Sequence, residues 1–312
     1  MANGLLQSSN KNEEPEDIGN RYIHELWSRS FFQELEDVPF GFTFKMHDLV
    51  HDLALSVAQN DVSSTGSVRH LCFKLLGQGA SLLPNNMGHL RTLVLRSNKE
   101  QKAGSEPLID ECISRSKHSL ETLDLSCREG IEELPKDIRY LISLRVLAPN
   151  SPSNMLIQDC DNLISLPQGL KYLTALENLV IKGCEKLDLS MDVELGGKED
   201  GSLRKLLIAG LPKVESLPQW ILLGSTKTLQ HLYILGLENL STLPTWFLYL
   251  ISLQTLEIGY CPGLSSLPEG TQRLTALQEL RIEGCAKLVE RCKEETGEDW
   301  PKIAHVPRIT IS

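Results

Sequence analysis

Aromatic residues are scarce in this 312-residue chain, 5% of the whole against a hydrophobic fraction of 41%. A core that large with so few rings has to be built from aliphatic side chains, leucine above all, and this points to many small, similar layers. Basic charge is short as well: the net charge is -10, and residues 1–60 alone carry -6, with Lys11, Arg21, Arg29 and Lys45 against ten Asp and Glu. Such a balance lacks the footprint that neutralises phosphates, so nucleic acid is not an expected partner. No apolar run reaches membrane-spanning length, and the start "MANGLLQSSNKNEEPED" has neither the charged opening nor the apolar segment of a signal peptide. The chain is therefore expected to be soluble and intracellular, in the cytoplasm. Eight cysteines are too few for a disulfide framework at this length and are expected to act as small buried hydrophobes in a reducing compartment.

What the chain has in quantity is repetition. The unit L-x-x-L-x-[LI]-x-x-C occurs as "LENLVIKGC" (176–184), "LQTLEIGYC" (253–261) and "LQELRIEGC" (277–285), with variants opening at Leu90, Leu120, Leu203 and Leu229. The first leucines at 176, 203, 229, 253 and 277 stand 27, 26, 24 and 24 residues apart. This is the period of leucine-rich repeats. In L-x-L both leucines turn inward from a short strand and the residues between them face out. The ninth position turns the chain away, and "SLP" with an apolar segment behind it packs the returning side, as in "LSSLPEGTQRLTAL" (264–277). The expected fold is an α/β leucine-rich-repeat solenoid, a horseshoe of parallel strands with a concave sheet. The cysteines at 160, 184, 261 and 285 fall at whole-repeat intervals and are expected to form a buried column. The last 22 residues depart from the pattern, and Trp300 and Ile303 are expected to cover the open end.

The outward positions give the candidate binding face: Thr122, Asp124, Asn178, Lys182, Lys205, His231, Tyr233, Thr255, Glu257, Tyr260, Glu279, Arg281 and Glu283. His231, Tyr233, Glu257, Tyr260 and Arg281 come from three successive strands and are expected to share one patch. Taken singly, each is better explained as part of a solvated sheet face. One stretch breaks the register. Aligned back from Cys160, Met155 and Ile157 take the inward positions, but the preceding strand then begins at Leu144, which shortens that repeat and predicts a weakly ordered segment at 148–156.

Ahead of the array, "EDIGNRYIHELWSRSFF" has helical spacing, "FFQELEDVPFGFTFKM" reads as a hairpin, and residues 48–58 read as an amphipathic helix. His47-Asp48-Leu49-Val50-His51 comes close to the zinc motif H-E-x-x-H, but no third ligand follows and no metal is expected. The histidines could equally cap the helix and face solvent.

Helix, hairpin and "KMHDLVHDLALSVA", followed by repeats rich in Cys and SLP, resemble the plant intracellular nucleotide-binding leucine-rich-repeat disease resistance proteins of the coiled-coil type. The resemblance implies that residues 1–62 are the end of the winged helix of the nucleotide-binding (NB-ARC) switch module, 63–89 a connector, 90–289 the repeats and 290–312 a cap and tail. It also implies that Met46, His47 and Asp48 correspond to a triplet beside the bound nucleotide diphosphate. No G-x-x-x-x-G-K-[ST] occurs; Gly197-Lys198 is followed by Glu199. The chain thus reads as a truncated receptor with no cofactor, ADP or ATP being expected only in a full-length family member. The expected function is non-enzymatic recognition and autoinhibition in plant defence, by contact with a pathogen-derived protein, a host protein or the receptor's own nucleotide-binding domain. The alternative is a non-immune leucine-rich scaffold or adaptor.

Overall fold

Alternation of leucine and isoleucine along five-residue stretches dictates the core. In a computed structural model, which describes residues 15–38, 41–47, 49–50, 70–75, 87–97, 106–126, 132–134, 136–141, 154–167, 170, 172–190 and 201–312, these stretches are strands. The chain divides into two units, Met1–Val68 with 148–151, and Arg69–Leu147 with Pro152–Ser312.

The first unit contains helix α1 (Pro15–Ser28) and an antiparallel hairpin of β1 (Phe32–Val38) and β2 (Gly41–Met46), with a bulge between Gln33 and Glu36. Helix and hairpin stand where the sequence placed them. Of the expected helix at 48–58, only the turn at 49–50 falls within the described residues.

The second unit is one parallel sheet of ten strands in sequence order. They are β3 (His70–Leu75), β4 (Thr92–Ser97), β5 (Thr122–Ser126), β6 (Asn154–Gln158), β7 (Asn178–Lys182), β8 (Lys205–Ala209), β9 (His231–Leu235), β10 (Thr255–Gly259), β11 (Glu279–Glu283) and β12 (Arg308–Ile311). From β4 to β11 the two inward side chains of every strand, from Leu93 and Leu95 to Leu280 and Ile282, are at most 3% exposed. Burying each such side chain is worth about 1.5–3 kcal/mol, so each repeat is held chiefly by this pair and the leucine preceding it.

The sheet extends one strand beyond each end of the expected array. β3 lies in the segment read as a connector. β12 pairs in register with β11, Ile309 opposite Leu280 and Ile311 opposite Ile282, so the tail continues the pattern as well as closing it. The register break is also corrected. β5 pairs directly with β6, Leu123 opposite Met155 and Leu125 opposite Ile157. Thr122 and Asn154 stand 32 positions apart, so the spacing between these paired strands is lengthened and not shortened, and the strand start read at Leu144 lies outside the described residues. Residues 142–153 lie outside those described. The inward assignment of Met155 and Ile157 holds, at 1% and 0% exposure.

On the returning side the leucines of the x-L-P triplets, at 134, 166, 217, 243 and 267, are all buried. The prolines behind several of them open tight turns: the carbonyls of Pro167, Pro218, Pro244 and Pro268 accept bonds from Leu170, Ile221, Phe247 and Thr271 N–H at 3.0–3.3 Å. Proline suits that place because its fixed φ starts the turn and its missing N–H would find no partner there.

The C-terminal end is sealed by polar side chains. Asp299 is fully buried; it accepts bonds from Leu267 N–H at 2.8 Å, Arg291 Nη2 at 3.0 Å and Lys302 Nζ at 2.9 Å. Lys302 also reaches the Leu267 carbonyl at 2.9 Å and Glu269 at 2.7 Å. Burial alone would raise the Asp299 pKa, but the donors from Arg291, Lys302 and Leu267 outweigh it and hold the carboxyl below its ordinary range. Of the two residues expected to cover this end, Ile303 is fully buried and Trp300 half-buried.

Candidate partner-binding face

Parallel pairing without register shift lines up the outward residues of neighbouring strands in rows. The middle row runs Val94, Asp124, Leu156, Val180, Leu207, Tyr233, Glu257, Arg281, Thr310. On one side of it lie Thr122, Asn178, Lys205, His231, Thr255, Glu279 and Arg308, and on the other Gln158, Lys182, Ala209, Leu235, Gly259 and Glu283. The expected patch therefore exists as a neighbourhood: Tyr233, Glu257 and Arg281 are directly adjacent across β9–β11, with His231 in the next row. The assignment of Asp124 is corrected. It faces outward but is only 9% exposed, between Val94 and Leu156, and offers little surface to a partner.

Tyr260 stands just beyond β10 rather than on it, 59% exposed, and its hydroxyl donates to Glu283 Oε1 at 2.6 Å. Its backbone is left-handed, φ +53°. The corresponding position after each of the other strands from β6 to β11 is Asp159, Gly183, Gly210, Gly236 or Gly284, all at φ between +52° and +65°. The conformation is required because the N–H there continues the ladder. Gly210 N–H donates to the Leu235 carbonyl, Gly236 to Gly259, and Tyr260 to Glu283, each at 2.8 Å. Glycine is at home in this region and a tyrosine is strained in it.

Electrostatically, β9–β11 are crowded. Burial depresses the His231 pKa, with Lys205 adding to the effect. Glu257 is raised by burial first and then by Glu283 and Glu279, while Arg281 opposes the shift. Tyr233 is raised by burial and by Glu257 and Glu279. Glu279 meets Arg308 at 3.5 Å, a contact the sequence reading missed with β12. It also passed over the apolar middle row of Leu156, Val180 and Leu207, since only polar and aromatic outward residues were sought.

In the first unit, Met46 ends β2 and is exposed. His47 N–H donates to the Phe31 carbonyl at 3.1 Å, and its Nδ1 accepts from Leu49 N–H at 3.3 Å, so the imidazole caps the turn that follows. Asp48 and His51 lie outside the described residues. Among the described residues no three His, Cys, Asp or Glu are grouped to hold a metal ion, and no helix is long and apolar enough to cross a membrane.

Residues 1–54 match the model of the disease resistance protein winged helix domain. The disease resistance protein RGA2 of Solanum bulbocastanum is 49% identical over 65 residues, which is 21% of this chain and 7% of that protein. The Arabidopsis thaliana protein SUPPRESSOR OF npr1-1, CONSTITUTIVE 1 is 31% identical over 224 residues, 66% of this chain and 14% of its own length. The chain is similar to plant disease resistance proteins. It matches only a small share of the length of each relative. Among solved structures, the leucine-rich repeat domain of the type III effector XopL superposes with a TM-score of 0.55 at 18% identity, over 95% of this chain and 93% of that one. That likeness bears out the leucine-rich-repeat solenoid, preceded by a small helical segment.

Proposed function

We propose that the protein is a non-enzymatic recognition module of the plant immune-receptor type, acting by protein–protein contact through the outward sheet face of β9–β11. One observation carries this reading: a disease-resistance winged-helix segment precedes a repeat sheet whose face gathers two aromatic rings, Tyr233 and Tyr260, with Arg281 and three carboxylates. Tyrosine and arginine in a partly desolvated cluster are the composition of interface hot spots. The occupant is a pathogen-derived protein, a host protein or the nucleotide-binding module of a receptor of this family. In the last case the contact would be autoinhibitory. The chain itself is proposed to bind neither nucleotide nor zinc.

The test is capture of a nucleotide-binding module expressed separately, or of a pathogen-derived protein, by the full chain and by the variant combining Tyr233→Ala, Tyr260→Ala and Arg281→Ala. Loss of at least about 2 kcal/mol of binding free energy, with unchanged thermal unfolding, supports the assignment. Binding that survives these changes and is abolished by substitutions on the returning side places the interface elsewhere.

A further inference from the structure

At the position that turns the chain away from each strand, the occupants from β6 to β11 are Cys160, Cys184, Leu211, Leu237, Cys261 and Cys285, all fully buried. The expected column of cysteines is thus interrupted by two leucines and resolves into two dithiol pairs, each joining adjacent repeats. Adjacent parallel strands lie about 4.8 Å apart, which places neighbouring backbones within the roughly 4.4–6.8 Å Cα window of a disulfide. In the second pair the contact is direct: Cys261 N–H donates to Cys285 Sγ at 3.2 Å. The Cys261 thiol is directed at the Gly259 carbonyl at 3.3 Å and the Cys285 thiol at the Glu283 carbonyl at 3.4 Å.

We propose that Cys261 and Cys285 are a redox modification site, at which a hydroperoxide converts the thiol pair into a disulfide that staples the β10 repeat to the β11 repeat. The Cys285 thiolate attacks one peroxide oxygen, the O–O bond breaks, and hydroxide leaves to take up a proton. The Cys261 sulfur then attacks the resulting sulfenic acid, the S–O bond breaks, and a second water departs. Two thiols and one hydrogen peroxide thus give one disulfide and two waters. Cys285 is the sulfur that reacts first because hydrogen bonding from Cys261, whose N–H it accepts, holds its thiol below the ordinary thiol range. Cys112 and Cys292 are as deeply buried, without a neighbouring thiol among the described residues, and burial pushes both to about 12. In the other pair, the hydrogen bond to Cys160 and burial raise Cys184, as the hydrogen bond to Cys285 and burial raise Cys261; the Cys160–Cys184 pair lies farther from the C-terminal end of the sheet and reacts more slowly because its repeats open less readily. Peroxide reaches the buried sulfurs through local opening of the array near its C-terminal end, where only β12 lies beyond β11.

The experiment exposes the native full chain to hydrogen peroxide, blocks residual thiols with N-ethylmaleimide after unfolding, and maps the digest by mass spectrometry without reduction. The expected result is a Cys261–Cys285 link that leads any other linkage by at least about tenfold at early times, reverses with dithiothreitol and raises the melting temperature. Cys112 and Cys292 should be recovered alkylated. In Cys261→Ala the sulfenic acid at Cys285 should become trappable by dimedone. Recovery of Cys261 and Cys285 as free thiols, or the same mixture of links from native and urea-unfolded chain, would overturn the proposal.

Discussion

Strands β6–β8 and β9–β11 share one inward skeleton and carry opposite outward faces. Inside, Met155 and Ile157, Leu179 and Ile181, and Leu206 and Ile208 are matched by Leu232 and Ile234, Leu256 and Ile258, and Leu280 and Ile282, none more than 3% exposed. Outside, the middle row changes from Leu156, Val180 and Leu207 to Tyr233, Glu257 and Arg281. Folding requires the first set and depends much less on the second, in which Leu207 alone is buried, so the other outward residues are open to choice by what they touch. Burial first, and then the neighbouring carboxylates Glu283 and Glu279, raise the Glu257 pKa against the pull of Arg281, a crowding that contributes nothing to the fold.

The comparison presumes that both stretches are equally anchored, and the second lies close to the open end. Removing the seal should therefore have the largest effect. Asp299→Ala leaves Arg291 and Lys302 facing a buried gap and frees the Leu267 N–H, and breaking a buried charge network in this way costs about 3–5 kcal/mol. Because the folded-state pKa of Asp299 lies below its unfolded value, its contribution is fully present above the unfolded carboxylate pKa of about 4 and is lost as pH falls through the lower, folded value. Urea unfolding should show a gap between wild type and variant that is widest near neutral pH and narrows in acid. A gap independent of pH would show that packing, and not the carboxylate, holds the end.

Equality of the two skeletons is tested next. Leu206→Ala and Leu256→Ala each delete a fully buried side chain and should each cost about 2–5 kcal/mol, agreeing with one another within about 1 kcal/mol. Arg281→Ala, on the outward face, should move stability by no more than about 0.5 kcal/mol. A Leu256→Ala cost far below that of Leu206→Ala would mean that the terminal repeats unfold separately.

The inward skeleton was legible because its period is fixed by geometry: two leucines two residues apart can enter one core only from a strand, and a 24–27-residue recurrence can only stack. β12 escaped because "RITIS" lacks the preceding leucine and the turn cysteine, although Ile309 and Ile311 keep the alternation. The spacing after β5 was misread because "LRVLAP" matches the motif by sequence, and only the pairing of β5 with β6 gives the distance between consecutive paired strands. Residues of the binding face could be assigned by parity alone. Burial could not: Asp124 and Leu207 face outward by register and are covered by their neighbours. The left-handed conformation at Tyr260 was invisible in its own residue type and could have been inferred only from the glycines in the same place.

That tyrosine supplies the smallest expected effect and the sharpest test of whether the outward face is set by function. Its φ of +53° is one that a bulky L residue adopts at a cost of about 1–2 kcal/mol, while glycine adopts it freely but loses more backbone entropy on folding, about 0.5–1 kcal/mol. The exposed bond from its hydroxyl to Glu283 returns little in water. Tyr260→Gly should therefore stabilise the protein by about 0.5–1 kcal/mol, read as a higher denaturant midpoint with an unchanged slope. Gly284 supports the native placement, since a Cβ there would meet the Tyr260 ring at 2.7 Å; Gly284→Ala should displace the ring and destabilise. If the strained tyrosine is kept for contact, Tyr260→Gly must weaken partner capture even as it strengthens the fold. A variant that is both more stable and equally able to bind would remove Tyr260 from the binding face, leave Tyr233 as its one aromatic anchor and shift the assignment toward the apolar row of β6–β8.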